Sequence, residues 1–193
     1  MSPRRKQGIK FLTKQELQAL LERAKLQSPR EHCMVLLAYR HGLRASEVCG
    51  IRMDHIDLKA GNIRCDRGKG SVSNWQSLAR DEMKAIRLWL RHRPKTDDPH
   101  LFISRNGGPM SRSQFYRVFK KLCEAAGIPE DKRHPHVLKH SLGSHMANAG
   151  MPVQVIQHRL GHRNISSTMV YVQMSNIYVD RAFQAVLDSG GIV

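Results

Sequence analysis

The sequence predicts an α+β domain, mainly helical, with a small antiparallel β-sheet at one edge. Three observations predict it. Most apolar residues recur at helical spacing behind Ser or Thr caps. The stretch 55–78 breaks that rhythm and alternates in short pieces around glycine turns. A chain of 193 residues, 40% apolar, suits one domain or a little more, with a sizeable core.

Residues 1–10, MSPRRKQGIK, are polar and basic and read as a flexible arm. Thr13-Lys14-Gln15-Glu16 is a capping box that opens a helix with Leu17, Leu20, Leu21 and Ala24 on its apolar face. Ser28-Pro29-Arg30-Glu31 repeats the device with Pro29 at the first helical position. The helix it opens carries Met34, Val35, Leu37 and Ala38 and stops at Gly42. After Ala45-Ser46-Glu47-Val48 come His55 to Leu58, Asn62 to Asp66 and Ser71 to Leu78, which predict the small sheet. Residues 81–92 form an amphipathic helix with Met83, Ile86, Trp89 and Leu90 inward. Leu101 to Ser104 reads as a short extended piece. Ser111 and Gln114 cap a helix running to Gly127 on a core face of Phe115, Val118, Phe119 and Leu122. The rest, 136–188, is helical, punctuated at Gly150-Met151-Pro152 and Leu160-Gly161. It ends in an amphipathic pattern of Val179, Ala182, Phe183 and Val186. The organisation is therefore a basic arm over 1–10, a main domain over 11–173, and a tail over 174–193 that packs on its own domain or a neighbouring protomer.

Thirty-two Lys and Arg against 16 Asp and Glu leave a formal charge of +16. That much positive charge repels itself unless a polyanion neutralises part of it, so nucleic acid is the leading partner. A membrane is disfavoured because no long apolar run exists. Cys33, Cys49, Cys65 and Cys123 lack zinc-site spacing and read as buried free thiols in a reducing compartment. No signal peptide is evident, which points to a cytoplasmic, nucleoid-associated protein. Nothing calls for a metal or another cofactor, and no HExxH appears.

Candidate chemistry concentrates between His134 and Tyr171. His136, Lys139 and His140 form one block; Leu160-Gly161-His162 forms a second, with Tyr171 nine residues beyond His162. No carboxylate lies between His134 and Tyr171. Donors and cations without acids suit a substrate that is negative at its reacting centre, such as a phosphodiester, with the tyrosine as attacking group. Arg44 sits at a glycine-punctuated helix junction with Glu47 three residues on to orient it. Lys69 is presented on a turn between Gly68 and Gly70, which lets a backbone approach closely. His134, His145 and His158 read as ordinary surface or core histidines, and His140 as a packing or supporting residue.

Arg44 in GLRASEV, Lys69 in GKG, the HVLKH block, the LGH block and Tyr171, in this order and at these intervals, resemble the tyrosine recombinase (phage integrase) family. The resemblance covers roughly residues 11–185 and is closest in style to the short recombinases that invert the fimbrial promoter switch. It implies a recombinase catalytic domain without the separate N-terminal core-binding domain of larger members. It also implies site-specific DNA recombination by metal-free transesterification through a 3′-phosphotyrosyl intermediate. In that mechanism Tyr171 attacks, Arg44 grips the phosphate and Lys69 protonates the leaving 5′-oxygen. His136 assists with the tyrosine proton or binds phosphate, and His162 donates to a non-bridging oxygen. Implied partners are double-stranded DNA and a homotetramer on paired sites, with a monomer compatible with the free protein.

One departure stands out. The family pattern is H-x-x-R, and Lys139 occupies the place of the second arginine, keeping the charge but losing the two-pronged fork. A natural active variant, an attenuated or engineered form, and a catalytically weak or inactive DNA-binding regulator all fit. A relaxing enzyme of the type IB topoisomerase kind would share the chemistry without needing a paired site.

Overall fold

The computed structural model describes residues 9–68, 70–173 and 183–189. Helix α1 (Lys14–Gln27) opens on a reciprocal cap: the Glu16 amide donates to Thr13 Oγ1 at 3.1 Å and the Thr13 amide donates to Glu16 Oε2 at 2.7 Å. Leu17, Leu20 and Ala24 are buried on the side facing α2 (Pro29–Arg40). Ser28 caps α2 by accepting from the Glu31 amide at 3.2 Å. The Glu31 carboxylate, however, is buried and turns to Arg30 at 2.7 Å, so the expected box is only half made.

Helix α2 is the centre of the domain. Every residue from Cys33 to Ala38 is buried, because α1, α4 and α6 all pack around it. Its end is a Schellman turn. Gly42 takes φ +57°, its amide donates to the Tyr39 carbonyl at 3.1 Å, and the Leu43 amide donates to the Ala38 carbonyl at 2.9 Å. A Cβ on Gly42 would lie 2.6 Å from Leu160 Cδ2, so both backbone angle and space require glycine.

Short helix α3 (Ala45–Cys49) leads to the antiparallel sheet β1 (Ile56–Asp57), β2 (Asn62–Cys65) and β3 (Asn74–Ser77), in the order β1-β2-β3. Ile63 pairs with Gln76 and Cys65 with Asn74, which turns Ile63, Cys65 and Gln76 inward and leaves Trp75 exposed. The expected strand over 71–78 is thus shorter. Ser71 makes an isolated bridge to His162 instead. Helix α4 (Arg80–His92) places Glu82 against His41, 2.7 Å apart and both buried, while His41 Nδ1 meets Gln76 Oε1 at 2.8 Å. Trp89 Nε1 donates to the Leu101 carbonyl at 2.9 Å. Leu101 to Ile103 are fully buried but form only an isolated bridge, Ile103 to Pro109, rather than a strand. Helix α5 (Arg112–Ala125) has its full capping box at Ser111 and Gln114 and buries Phe115, Phe119 and Leu122. Each of these side chains contributes roughly 1.5–3 kcal/mol by leaving water.

Helices α6 (His136–Asn148), α7 (Val153–Leu160) and α8 (Ser166–Gln173) complete the domain. Two polar residues of α6 tie it to the start of the chain. Ser141 Oγ accepts from the Leu12 amide at 2.8 Å, and His145 contacts the Leu12 carbonyl at 2.8 Å and the Tyr39 hydroxyl at 2.9 Å. Apolar packing falls into a main cluster around α2 and a smaller one of Leu142, Met146, Ala147, Ile156, Leu160, Tyr171 and Val172. All four cysteines are free and buried. At the arm's end Ile9 packs on the small cluster and Lys10 pairs with Asp131; residues 1–8 lie outside the described residues. In the tail, 183–188 is helical with Phe183 and Val186 exposed, while Val179 and Ala182 lie outside the described residues. Among the described residues no helix is long and apolar enough to cross a membrane.

Candidate active site

The Schellman turn after α2 throws Arg44 out of the helical path and makes it the residue before α3. From there it is held by one carboxylate. Glu47 Oε1 accepts from Arg44 Nη1 at 2.7 Å, and Oε2 accepts from the Arg44 amide at 2.8 Å. Ser71 Oγ accepts from the same Nη1 at 3.0 Å. The remaining guanidinium edge has no partner among the described residues, and the side chain keeps 37% of its exposure. That edge is available to an anion.

Glu47 also serves a second arginine that the sequence did not single out. Arg67 Nη1 donates to Glu47 Oε2 at 3.1 Å and to the Gly42 carbonyl at 2.9 Å; its Nη2 donates to the carbonyls of His41 at 2.7 Å and Arg159 at 3.0 Å. The Arg67 side chain is fully buried, so this guanidinium fastens the strand end to the ends of α2 and α7. Burial alone would raise the Glu47 carboxyl. The Arg44 amide and the Arg67 and Arg44 cations outweigh it and hold the group below the usual carboxylate range.

The Leu160-Gly161-His162 block is the C-terminal stop of α7. Gly161 takes φ +65°, and a Cβ there would lie 2.8 Å from the Val72 carbonyl oxygen and 2.9 Å from Arg67 Nε. The Val72 amide donates to the Gly161 carbonyl at 3.0 Å. Glycine therefore lets the turn beyond β2 lie directly on the turn that carries His162. His162 Nδ1 is paired with Thr168 Oγ1 at 3.0 Å, which leaves Nε2 as its remaining polar atom. Burial first, then the Lys139, Arg44 and Arg67 charges, push its imidazole down to about 4, so it is neutral at pH 7.

His136 is the first residue of α6, and burial followed by the Lys139 and Arg44 charges lowers its pKa. Lys139, one turn on, is buried, and its ammonium donates to the Leu160 carbonyl at 2.6 Å. Desolvation is the main cause that brings its pKa down to about 7, and the Arg67 charge adds to it. Lys139 thus sits at the cleft while supporting the carbonyl end of α7. His134 lies outside this group, His145 belongs to the α6 packing, and His158 contacts Asn74. Lys69 lies outside the described residues. Its neighbours form a turn in which the Ser71 amide donates to the Gly68 carbonyl at 3.1 Å and Gly70 takes φ +81°.

Tyr171, on α8, is 3% exposed. Its ring lies parallel to His162, with centroids 6.4 Å apart and planes at 11°. Its hydroxyl meets His140 Nδ1 at 3.0 Å. Burial pushes the phenol up to about 12. Arg44, Ser71, His136, Lys139, His162 and Tyr171 line one open cleft of about 270 Å³. A larger groove of about 830 Å³ between α1, α2 and α5 contains none of the candidate site residues. Chemically, the small cleft offers hydrogen-bond donors, a guanidinium edge and a phenolic side chain. Among the described residues no group of three or more His, Cys, Asp and Glu is placed to hold a metal ion.

Comparison with known proteins identifies the family and the fold. The chain is 40% identical over 166 residues to Type 1 fimbriae regulatory protein FimB of Escherichia coli K12, covering 83% of this chain and 82% of FimB. It is 32% identical over 179 residues to tyrosine recombinase XerA of Pyrococcus furiosus, covering 91% of this chain and 61% of that protein. The crystal structure of XerA recombinase superposes with a TM-score of 0.80 at 26% identity, over 94% of this chain and 66% of that one. The Tn1549 transposon integrase shares the fold with a TM-score of 0.79 at 21% identity, over 92% of this chain and 67% of that one. Residues 10–176 match the phage integrase family. The chain belongs to the phage integrase family, as a tyrosine recombinase catalytic domain akin to those of the fimbrial switch.

Proposed function

We propose that this chain carries out site-specific recombination of double-stranded DNA by transesterification through a 3′-phosphotyrosyl intermediate, without a metal ion. Tyr171 is the nucleophile. Arg44, oriented by Glu47, grips the scissile phosphate through its unpaired edge. His162 donates from Nε2 to a non-bridging oxygen as charge grows there, a contribution of ~10²–10³ for such a donor. His136 contacts the phosphate from the start of α6, and Lys139 adds positive charge behind it. Lys69 is the general acid for the departing 5′-oxygen, and the glycine-flanked turn of Gly68 and Gly70 supports that role. The observation that carries the reading is that Tyr171 lines one cleft with Arg44, His136 and His162, a cleft with no carboxylate in its lining among the described residues, while the neighbouring Glu47 is already engaged by donors.

DNA is supported as partner by the +16 charge and by solved relatives described as DNA complexes. Strand exchange requires two duplexes, and four protomers on paired sites supply one tyrosine per cut strand. The test is covalent capture. Protein is mixed with nicked duplexes of randomised sequence, and adducts are recovered by denaturing electrophoresis. Wild type forms an adduct and Tyr171→Phe forms none; an adduct that survives Tyr171→Phe, or none from wild type, defeats the reading.

A second reading has one observation in its favour. The Lys139 ammonium is committed to the Leu160 carbonyl, which favours a DNA-binding regulator with weak or absent cleavage. It expects salt-sensitive binding without an adduct.

A further inference from the structure

Rather than any residue of the H-x-x-R pattern, His140 holds the Tyr171 hydroxyl. His140 Nδ1 lies 3.0 Å from Oη, the one hydrogen-bond partner of that oxygen among the described residues. A buried phenol needs an acceptor for its proton, and a neutral imidazole protonated on Nε2 supplies it. The His136 ring meets His140 edge to face at 4.4 Å and 90°, so His136 packs behind His140 rather than on the tyrosine oxygen.

The surroundings define when this pair reacts. His134 just ahead of α6, and His136 and Lys139 at its start, bring positive or potentially positive groups near His140, and Tyr171 meets it from α8. No carboxylate is in contact with it among the described residues. Burial first, then His136, His134 and Lys139, bring its pKa down to about 4, while burial raises the phenol to about 12. The shared proton therefore rests on Tyr171 rather than on His140. An arriving phosphodiester brings the missing negative charge, which favours an imidazolium beside it.

Resting on the phosphotyrosyl reading, we propose that His140 is the base that takes the Tyr171 proton. As Oη bonds to phosphorus, the phenolic proton passes to His140 Nδ1. The bond from phosphorus to the 5′-oxygen breaks, its electron pair leaves on that oxygen, and the Lys69 ammonium supplies the proton that makes the 5′-hydroxyl. On resealing, a 5′-hydroxyl attacks, its proton passes to the Lys69 amine, and His140 returns the proton to the departing phenol. His140 thereby becomes a catalytic residue where the sequence suggested a supporting one.

The experiment measures adduct formation on the nicked randomised duplexes for wild type, His140→Ala, His140→Gln and His140→Gly. Each variant is checked for its melting temperature and for binding to the same DNA. Loss of the base is expected to slow adduct formation by ~10²–10⁴-fold in all three with DNA affinity retained. Added imidazole is expected to restore part of the rate to His140→Gly and none to Tyr171→Phe. Glutamine keeps a hydrogen bond but cannot take a proton. A loss that glutamine repairs, a loss that imidazole does not relieve, or no loss at all overturns the proposal while leaving the phosphotyrosyl reading intact. Absence of any adduct from wild type ends both.

Discussion

The Lys139 ammonium donates a 2.6 Å hydrogen bond to the Leu160 carbonyl, so the cation in the place of the family's second arginine supports the backbone that carries His162. A lysine can make this contact because its charge sits on a single rotatable atom at the end of an apolar stem. It is also 2% exposed, with Arg67 and Arg44 nearby.

That burial makes stability depend on pH in a defined window. The Lys139 pKa is about 7 in the folded protein, below its unfolded value of 10.5. Below pH 7 both states hold the proton and Lys139 adds no slope. Above it the unfolded chain binds more protons, so stability rises with pH by up to about 1.4 kcal/mol per unit from this group. Lys139→Met removes the term. Urea denaturation between pH 6 and 8.5 is expected to show wild type gaining on Lys139→Met as pH rises; parallel curves would mean the ammonium is solvated.

Replacing Lys139 with arginine restores the fork. One guanidinium can hold a carbonyl and still present a second edge to a phosphate. Adduct formation is expected to rise roughly tenfold, the equivalent of one charge-assisted hydrogen bond of about 1.5 kcal/mol. Single-turnover capture on the nicked duplexes reads this directly, and an unchanged rate would show that Lys139 does not limit cleavage.

Glu47 is the next sensitive point, because it faces Arg44 and the fully buried Arg67 at once. Glu47→Gln leaves the buried guanidinium without a counter-charge and is expected to destabilise the fold by about 3–5 kcal/mol. The wild-type carboxyl lies below its ordinary pKa, so its stabilisation is present above the unfolded value and is lost as pH falls through the folded one. Acid unfolding monitored by circular dichroism is therefore expected to begin at higher pH when Arg67 is replaced by methionine, because the carboxyl then titrates nearer its usual value.

The local signals in the sequence are the ones the structure reproduces most closely. Thr13 and Ser111 make their capping boxes, Gly42 and Gly161 end helices in the left-handed region, and Ile63 and Gln76 face inward by strand alternation. These features depend on residues within a few positions of one another. Arg67 escaped notice because its four acceptors come from 41, 42, 47 and 159, and no spacing rule joins them. The commitment of Lys139 to a carbonyl 21 residues away was hidden for the same reason. The signal for Arg67 is its place just ahead of Gly68-Lys69-Gly70, where an arginine at a strand end has no helical face to join.

Gly143 was equally silent, since a glycine inside a helix reads only as a weak point. In α6 its position is directly beneath the Tyr171 ring. A Cβ built there would lie 2.8 Å from Tyr171 Cε2 and Cζ, closer than any carbon pair tolerates. Two effects of Gly143→Ala therefore oppose each other. Alanine favours the helix by roughly 0.5–1 kcal/mol, while forcing the ring aside in packed surroundings costs about 1–3 kcal/mol. The clash wins if the ring stays, so the ring is expected to leave and give up its contact with His140. Release from burial should bring the phenol down from about 12 toward its ordinary value. Titration of ¹³C-labelled tyrosine, assigned by comparison with Tyr171→Phe, reads that shift, and adduct capture is expected to slow in parallel. An unchanged Tyr171 titration in Gly143→Ala would mean that the ring does not rest on α6, and the geometry of the nucleophile would have to be redrawn.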